Sequence, residues 1–330
     1  MTQLPLVSVI IPVYNRAALV EQTIASLVNQ SYKAWEAIVV DDGSTDGSQA
    51  VIEKYAKEDA RINLLCRQRK PKGASTCRNI AIENSQGDYV IFLDSDDLLA
   101  IQCLQNRISD FKEHPNYDFL VYGMQFFTHR PGDHTRIWLE HFQDGYLSGF
   151  LLQSQWAITG PIWKRESLLR LGGFDEHLLS WEDGDLHRRA LIKGLTFKVF
   201  NVVDAYCRRD AARVRIGSKD HEIKYLLSRQ YQLDKIWKML VQKQLVTSVR
   251  SNIMAGQYVT LCRMLTEQKQ SEIARKIWQT VYQKRIVSFS VFQLVKVYLT
   301  LRSQLANPFG LRIVKKLFGI LLPKYVIWYG

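Results

Sequence analysis

Short β-branched apolar runs alternate with amphipathic helical stretches over the first hundred residues. LVSVIIPVY (6–14) is too short for a helix and reads as a buried strand. AALVEQTIASLVNQ (17–30) follows, with Leu19, Val20, Thr23, Ile24, Leu27 and Val28 on one helical face. WEAIVVDDGSTDGS (35–48) is a second strand running into a Gly/Ser/Asp loop, SQAVIEKYAKED (48–59) an amphipathic helix and RINLLC (61–66) a third strand. GASTCRNIAIENSQG reads as a helix that starts after Gly73 and ends near Gly87, and YVIFLDSDD (89–97) as a fourth strand. Such alternation predicts an α/β fold: a mostly parallel central sheet with helices on both faces. Ligands of these sheets bind outside the carboxyl ends of the strands. Here those ends carry Tyr14 and Asn15, then Asp41 and Asp42, then Asp94, Asp96 and Asp97.

The middle of the chain is mixed. YDFLVYGMQFF (117–127) reads as a strand, 155–176 as a strand, a helix and a Gly-Gly turn, and WEDGDLHRRALIKG (181–194) as an acidic loop entering a helix. Strands are expected near TFKVF and DAYCRR. From about 219 the pattern is helical, in 223–244, 251–268 and 271–284. The expected division is a catalytic domain over 1–218 and a C-terminal helical region over 219–330.

Composition adds limits. A 330-residue chain that is 47% hydrophobic and 23% charged can bury a large core and is not globally disordered. The five cysteines form no C-x-x-C pair, which suggests reduced thiols in a reducing compartment. MTQLPLVSVII has no basic n-region and no A-x-A site, so it reads as a strand rather than a signal peptide. No apolar run reaches the roughly 18 residues of a spanning helix. The formal charge is +12, and ten positive charges lie beyond Glu272, where there is no acid; the preceding 272 residues hold only +2. In LRIVKKLFGILL (311–322), Ile313, Val314, Leu317, Phe318, Ile320 and Leu321 fall broadly on one side and Arg312, Lys315 and Lys316 on the other. With Trp328 and Tyr329 close by, residues 305–330 suit a helix in an anionic membrane interface. Packing on the chain's own domain is the alternative. Nucleic acid ranks low, because the tail is as apolar as it is basic.

Three carboxylates within four residues repel one another. A helix cap at Ser95 or Asp96 explains one of them; a hard divalent cation explains a cluster, since Mg²⁺ or Mn²⁺ takes one or two carboxylates and completes its shell on phosphate oxygens. Tyr14 can stack on a base, and Asp42 can accept from a pyrimidine N–H. Neither G-x-G-x-x-G nor G-x-x-x-x-G-K-[ST] is present, which argues against Rossmann and P-loop sites.

SVIIPVYNRAALVEQTIASLVNQSYKAWEAIVVDDGSTDGS, followed in order by RNIAI (78–82), FLDSDD, GGFDE (172–176) and WED (181–183), resembles the family 2 inverting glycosyltransferases over roughly residues 6–215. The resemblance implies the A-type glycosyltransferase, or nucleotide-diphospho-sugar transferase, fold. It implies a nucleotide-diphosphate sugar donor, with a UDP-sugar expected, and a glycan or lipid-linked acceptor in cell-surface polysaccharide or glycoconjugate synthesis. Pro12, Tyr14, Asn15 and Asp42 match the base and ribose pocket, and Arg78 an arginine on the nucleotide side. Asp94 and Asp96 match the D-x-D metal motif, with Asp96 the direct ligand to Mg²⁺ or Mn²⁺ and Asp97 orienting the motif or touching the sugar. Asp183 matches the catalytic base, with Glu182 beside it. Where relatives often carry a histidine or arginine over the diphosphate, this chain has Arg208, Arg209, Arg213 and Arg215. His177 and His187 read as surface or structural groups. The expected location is cytoplasmic, peripheral on the inner membrane face. The rivals are a catalytically silent nucleotide-sugar-binding or scaffold protein on the same fold, and a nucleotidyltransferase, which usually has a Gly/Arg/Lys-rich first loop that PVYNRAA is not.

Overall fold

The computed structural model describes residues 4–209, 222–304, 316, 318 and 320–326. The chain forms two compact units. The first comprises Met1–His141, Gln155–His177 and Asp185–Arg213; the second comprises Phe142–Ser154, Leu178–Gly184 and Val214–Gly330. The bounds therefore differ from one cut near residue 218, since two short early segments group with the second unit.

In the first unit, β1 (Val7–Val13), β2 (Trp35–Asp41), β3 (Ile62–Cys66) and β4 (Tyr89–Phe92) are parallel, in the order β3-β2-β1-β4. Beyond β4 the sheet is mixed. β8 (Pro161–Lys164) runs antiparallel between β4 and β6 (Phe119–Phe127). β6 pairs in parallel with β9 (Phe197–Arg208), and β5 (Leu98–Leu99) closes that edge antiparallel to β9. β7 (Ile137–Trp138) pairs with β6. The two strands expected near TFKVF and DAYCRR are one twelve-residue strand, with its register to β6 broken around Gly123.

Side-chain alternation splits the core between the sheet faces. Val7, Val9, Ile11 and Val13 pack with Val20, Ile24 and Leu27 of α1 (Ala17–Val28), Ile52 of α2 (Ser48–Glu58) and Leu104, Ile108 and Phe111 of α4 (Cys103–Glu113). On the other face α3 (Ala74–Asn84) buries Cys77, Ala81 and Ile82 against β1 and β2. There too Phe92 meets Phe174 edge-on, and Trp163 stacks between Phe119 and His187. Arg107 of α4, fully buried, forks onto Asp204 of β9 at 2.7 and 2.6 Å and donates to the Thr159 carbonyl at 2.9 Å.

Pro12 is tolerated in the central strand for a local reason. The Ile10 carbonyl accepts from Leu93 N on the β4 side, and β4 pairs only with residues 7–10 of β1. Pro12, two residues on, turns its missing N–H to that same side, past the end of β4. β1 thus outruns β4 and leaves an open step at their carboxyl ends.

The second unit is helical: α5 (Gly145–Leu152), α8 (Ile223–Gln242), α9 (Ser248–Glu267), α10 (Ser271–Gln283) and α11 (Phe289–Gln304). α9 is its centre, touched by the other four and buried almost continuously from Ile253 to Leu265. Gly256 has no room for a Cβ, which would meet the Tyr325 carbonyl oxygen at 2.0 Å. The C-terminal backbone crosses α9 there. Phe318, Leu322 and Val326 are buried, whereas Ile320 and Leu321 are exposed. The apolar side expected over 311–322 is thus divided where it is described: Phe318 rests on Tyr298 of α11, while Ile320 and Leu321 are exposed. Arg312–Lys315, Leu317, Trp328 and Tyr329 lie outside the described residues.

Candidate active site

Two loops at the carboxyl edge of the sheet are laced together. Asn15, in the left-handed region at φ +50°, accepts from Thr45 N through its Oδ1 (2.8 Å) and donates its own N–H to Ser44 Oγ (3.0 Å). Arg16 N donates to Ser48 Oγ at 2.8 Å, and Ala17 N to the Asp46 carboxylate at 3.0 Å. The DDGSTDGS loop therefore supplies the acceptors that the first turn of α1 needs. Asp41 folds that loop on itself, accepting from Gly43 N, Ser44 N and Gln49 Nε2 at 2.7–2.9 Å. Burial pushes the Asp41 carboxyl up, but hydrogen bonds from Ser44, Gln49 and Gly43 outweigh it and hold it below the usual carboxylate range.

Asp42 faces the β3–α3 loop. It pairs with Arg67 and accepts from Gly73 N at 3.3 Å. Burial and this carboxylate push the neighbouring Cys77 thiol up to about 12, so it stays protonated. Tyr14 is half-exposed, with Lys72 Nζ 3.5 Å above its ring. Loop 67–73 therefore touches both residues expected to hold a base. Arg67 and Lys72 were not among the expected site residues; RQRKPKG reads from sequence as an ordinary basic turn.

The acidic turn after β4 separates its three carboxylates. Asp94 accepts from the almost fully buried Arg78 at 2.8 Å, and the Arg78 guanidinium lies 5.1 Å from the Phe174 ring centre. Asp97 is buried and accepts from Arg208 N at 2.9 Å, while its carbonyl accepts from Thr23 Oγ1. The Asp96 side chain is 27% exposed, and Arg16 Nε is 3.8 Å away, beyond hydrogen-bond reach. None of the three caps α4, which starts only at Cys103 after the short β5. Arg208 braces this turn: Nε donates to the Asp96 carbonyl (3.0 Å), NH2 donates to Gln22 (2.8 Å), and the guanidinium covers Phe127. Arg209 lies over Phe126 and Trp138. Arg213 and Arg215 lie outside the described residues.

Asp94 and Asp96 are hard oxygen donors at one strand end, with partial exposure of 38% and 27%. Among the described residues no three His, Cys, Asp or Glu side chains converge as a metal cage. A Mg²⁺ or Mn²⁺ that completes its shell on phosphate and water does not need one, so this donor set fits.

The GGFDE turn is gripped by α3. Asn79 Oδ1 accepts from Phe174 N (2.8 Å), and its Nδ2 donates to the Phe174 carbonyl (2.9 Å) and Glu176 (2.8 Å). Arg69 joins Glu176 to Glu83. Glu182 and Asp183 open α7 (Glu182–Ile192) and belong to Leu178–Gly184 of the second unit. Farther along α7, Arg189 pairs with Asp185 and donates to the Leu171 and Gly173 carbonyls. His177 is exposed beside Asp175. His187 is buried against Trp156 and Trp163; burial, then Arg188 and Arg189, depress it to about 3, so it is neutral at pH 7.

In the first unit, then, Pro12, Tyr14, Asn15, Asp42, Arg78, Asp94, Asp96 and Asp97 all sit at the carboxyl ends of β1, β2 and β4 or on α3 beside them. Residues 8–162 match the model of glycosyl transferase family 2. This stretch is a family 2 glycosyltransferase domain. An uncharacterized glycosyltransferase of Haemophilus influenzae is 36% identical over 166 residues, 50% of this chain and 64% of that protein. TuaG of Bacillus subtilis, a candidate teichuronic acid biosynthesis glycosyltransferase, is 48% identical over 109 residues, 33% of this chain and 43% of its own length. The chain thus spans under two thirds of these relatives. The crystal structure of S. aureus TarS 1–349 in complex with UDP-GlcNAc superposes with a TM-score of 0.68 at 20% identity, covering 96% of this chain and 93% of that one. That likeness shows the A-type glycosyltransferase fold.

Proposed function

We propose that this chain moves a sugar from a nucleoside-diphosphate donor, a UDP-sugar, to a hydroxyl of a glycan or lipid-linked acceptor, with inversion in a single displacement. The observation that carries the reading is the gathering of Tyr14, Asp42, Asp94 and Asp96 at the ends of three adjacent parallel strands, with Arg78 beside them on α3, inside a family 2 domain. TarS crystallised with UDP-GlcNAc supports the donor class, and the assignment of TuaG to teichuronic acid synthesis supports a polymeric glycan as acceptor.

Tyr14 stacks on the base, and Asp42 accepts its ring N–H. Asn15 and Pro12 shape the loop beneath it. Asp94 and Asp96 hold Mg²⁺ or Mn²⁺, with Asp96 the direct ligand. When bound, the cation neutralises charge on the diphosphate. Arg78 fixes Asp94, and Asp97 fixes the turn through Arg208. Asp183, with Glu182 beside it, takes the acceptor hydroxyl proton as that oxygen bonds to the anomeric carbon; the bond to the diphosphate oxygen breaks and its electron pair leaves with the diphosphate. The exposed Ile320 and Leu321, with the acid-free tail, support contact with an anionic membrane surface through residues 305–330. No described helix is long and apolar enough to cross a membrane.

A panel of nucleotide sugars with Mn²⁺, read by thermal shift, identifies the donor as the one that stabilises the fold most. Asp183→Asn should then abolish transfer while UDP–Mn²⁺ binding stays within about twofold; normal turnover in that variant sinks the base assignment.

A further inference from the structure

The segment that carries Asp183 has an unusual backbone. Trp181, two residues before it, lies at φ +63°, in the left-handed region that bulky side chains seldom adopt. Such a conformation persists only where its surroundings hold it, and it concentrates at functional sites. Here the surroundings are one face of α8. Gln232 Nε2 donates to the Trp181 carbonyl at 2.9 Å. Leu179 N donates to Ser228 Oγ at 3.0 Å. The Arg229 guanidinium lies over the Trp181 indole at 5.1 Å and also donates to Gln257 of α9. Gln257 in turn donates to the Leu152 carbonyl of α5 at 2.8 Å.

Ser228 and Gln232 are four residues apart, hence on one side of the helix, and both are buried. Burying an amide and a hydroxyl costs free energy unless each is partnered. Their partners are backbone groups of Leu179 and Trp181, so α8 spends its buried polar positions on the turn that leads into Glu182 and Asp183. A helix packed only for stability would carry apolar residues there, as the same helix does at Leu226, Leu233, Ile236 and Leu240.

We propose that Gln232, aided by Ser228 and Arg229, is a positioning residue that sets the backbone of Leu179–Trp181 and thereby aims Asp183. The helical unit thus takes part in the chemistry instead of merely extending the fold. This rests on the reading of Asp183 as the base.

The test uses the full chain with Gln232→Leu, Ser228→Ala, Asp183→Asn and the double variant Gln232→Leu/Asp183→Asn. UDP release is measured from the nucleotide sugar that stabilises the wild type, and UDP–Mn²⁺ binding by calorimetry. Gln232→Leu should lower kcat at least tenfold, with the donor KM and UDP–Mn²⁺ affinity within twofold of wild type. The double variant should be no slower than Asp183→Asn alone, because both lesions act on one group. If Gln232→Leu fails to fold, Ser228→Ala carries the test with a three- to tenfold loss of kcat. An unchanged kcat in the folded variant, or a further multiplicative loss on the Asp183→Asn background, overturns the proposal. Full turnover by Asp183→Asn removes the base reading and this proposal together. An inactive Asp183→Asn beside a fully active Gln232→Leu removes the positioning role alone.

Discussion

Asn79 grips the GGFDE turn with an amide that mirrors a peptide bond, and the consequence of cutting that grip can be sized. Two of its hydrogen bonds go to the Phe174 backbone and one to the Glu176 carboxylate, all at 2.8–2.9 Å. Neutral hydrogen bonds contribute about 0.5–1.5 kcal/mol each and one to a charged group about 1.5–3 kcal/mol, so the gross sum is roughly 2.5–6 kcal/mol. Asn79→Ala recovers part of that sum. Glu176 keeps Arg69 at 2.8 Å. The expected net loss is about 2–3 kcal/mol. Asn79→Asp keeps the acceptor for Phe174 N but sets a carboxylate against Glu176 and the Phe174 carbonyl. It should cost at least as much at pH 8, and part of the loss should return on acidification as the carboxylate pair takes up a proton. Urea unfolding followed by tryptophan fluorescence measures both variants. Phe174 also underlies Arg78, the partner of Asp94, so UDP–Mn²⁺ affinity should fall about three- to tenfold, roughly 0.6–1.4 kcal/mol. If both variants unfold within about 0.5 kcal/mol of wild type, as ordinary surface changes do, the turn is held by something else and the reasoning fails.

The buried Arg107–Asp204 fork should behave asymmetrically: Asp204→Ala or Arg107→Ala should destabilise by about 3–5 kcal/mol, whereas Arg107→Met/Asp204→Leu should recover most of that, as urea unfolding would show. His187 is depressed to about 3 when folded, against an ordinary value near 6.5, so the unfolded chain binds the extra proton between those values. Its contribution to stability is complete above about pH 6.5, is lost as pH falls below that at up to about 1.4 kcal/mol per unit, and stops changing below about 3. His187→Leu should flatten that part of the stability–pH curve.

The parallel half of the sheet was legible because each strand and helix carries its own period: β1 to β4 and α1 to α3 lie within a few residues of the segments read from the pattern. What escaped depends on contacts between distant segments. β5 and β7 have two residues each and exist only by pairing with β9 and β6, so no local period marks them. α5, in GYLSGFLL, shows no polar side, and Ser148 through Leu152 are all buried. Strand β9 was divided in two around Asn201 and Val202, which are exposed and fall where its register to β6 is broken.

The same distinction separates the acids of the turn after β4 from the groups around them. D-S-D-D announces its chemistry by composition, since three carboxylates in four residues need compensation. Which acid is compensated by what cannot be read from the run, because Arg78 arrives from sixteen residues away and Arg208 from more than a hundred. Those partners decide the roles. Asp94 is balanced by a buried guanidinium and Asp97 by a backbone N–H, both of which fix the turn, while Arg16 stands too far from Asp96 to hydrogen-bond it. Partners from distant segments thus fix Asp94 and Asp97 within the acidic turn. With Asp96 as the proposed metal ligand, Asp96→Ala should abolish the Mn²⁺ dependence of UDP binding, whereas Asp97→Ala should loosen the Arg208 brace and lower the unfolding free energy.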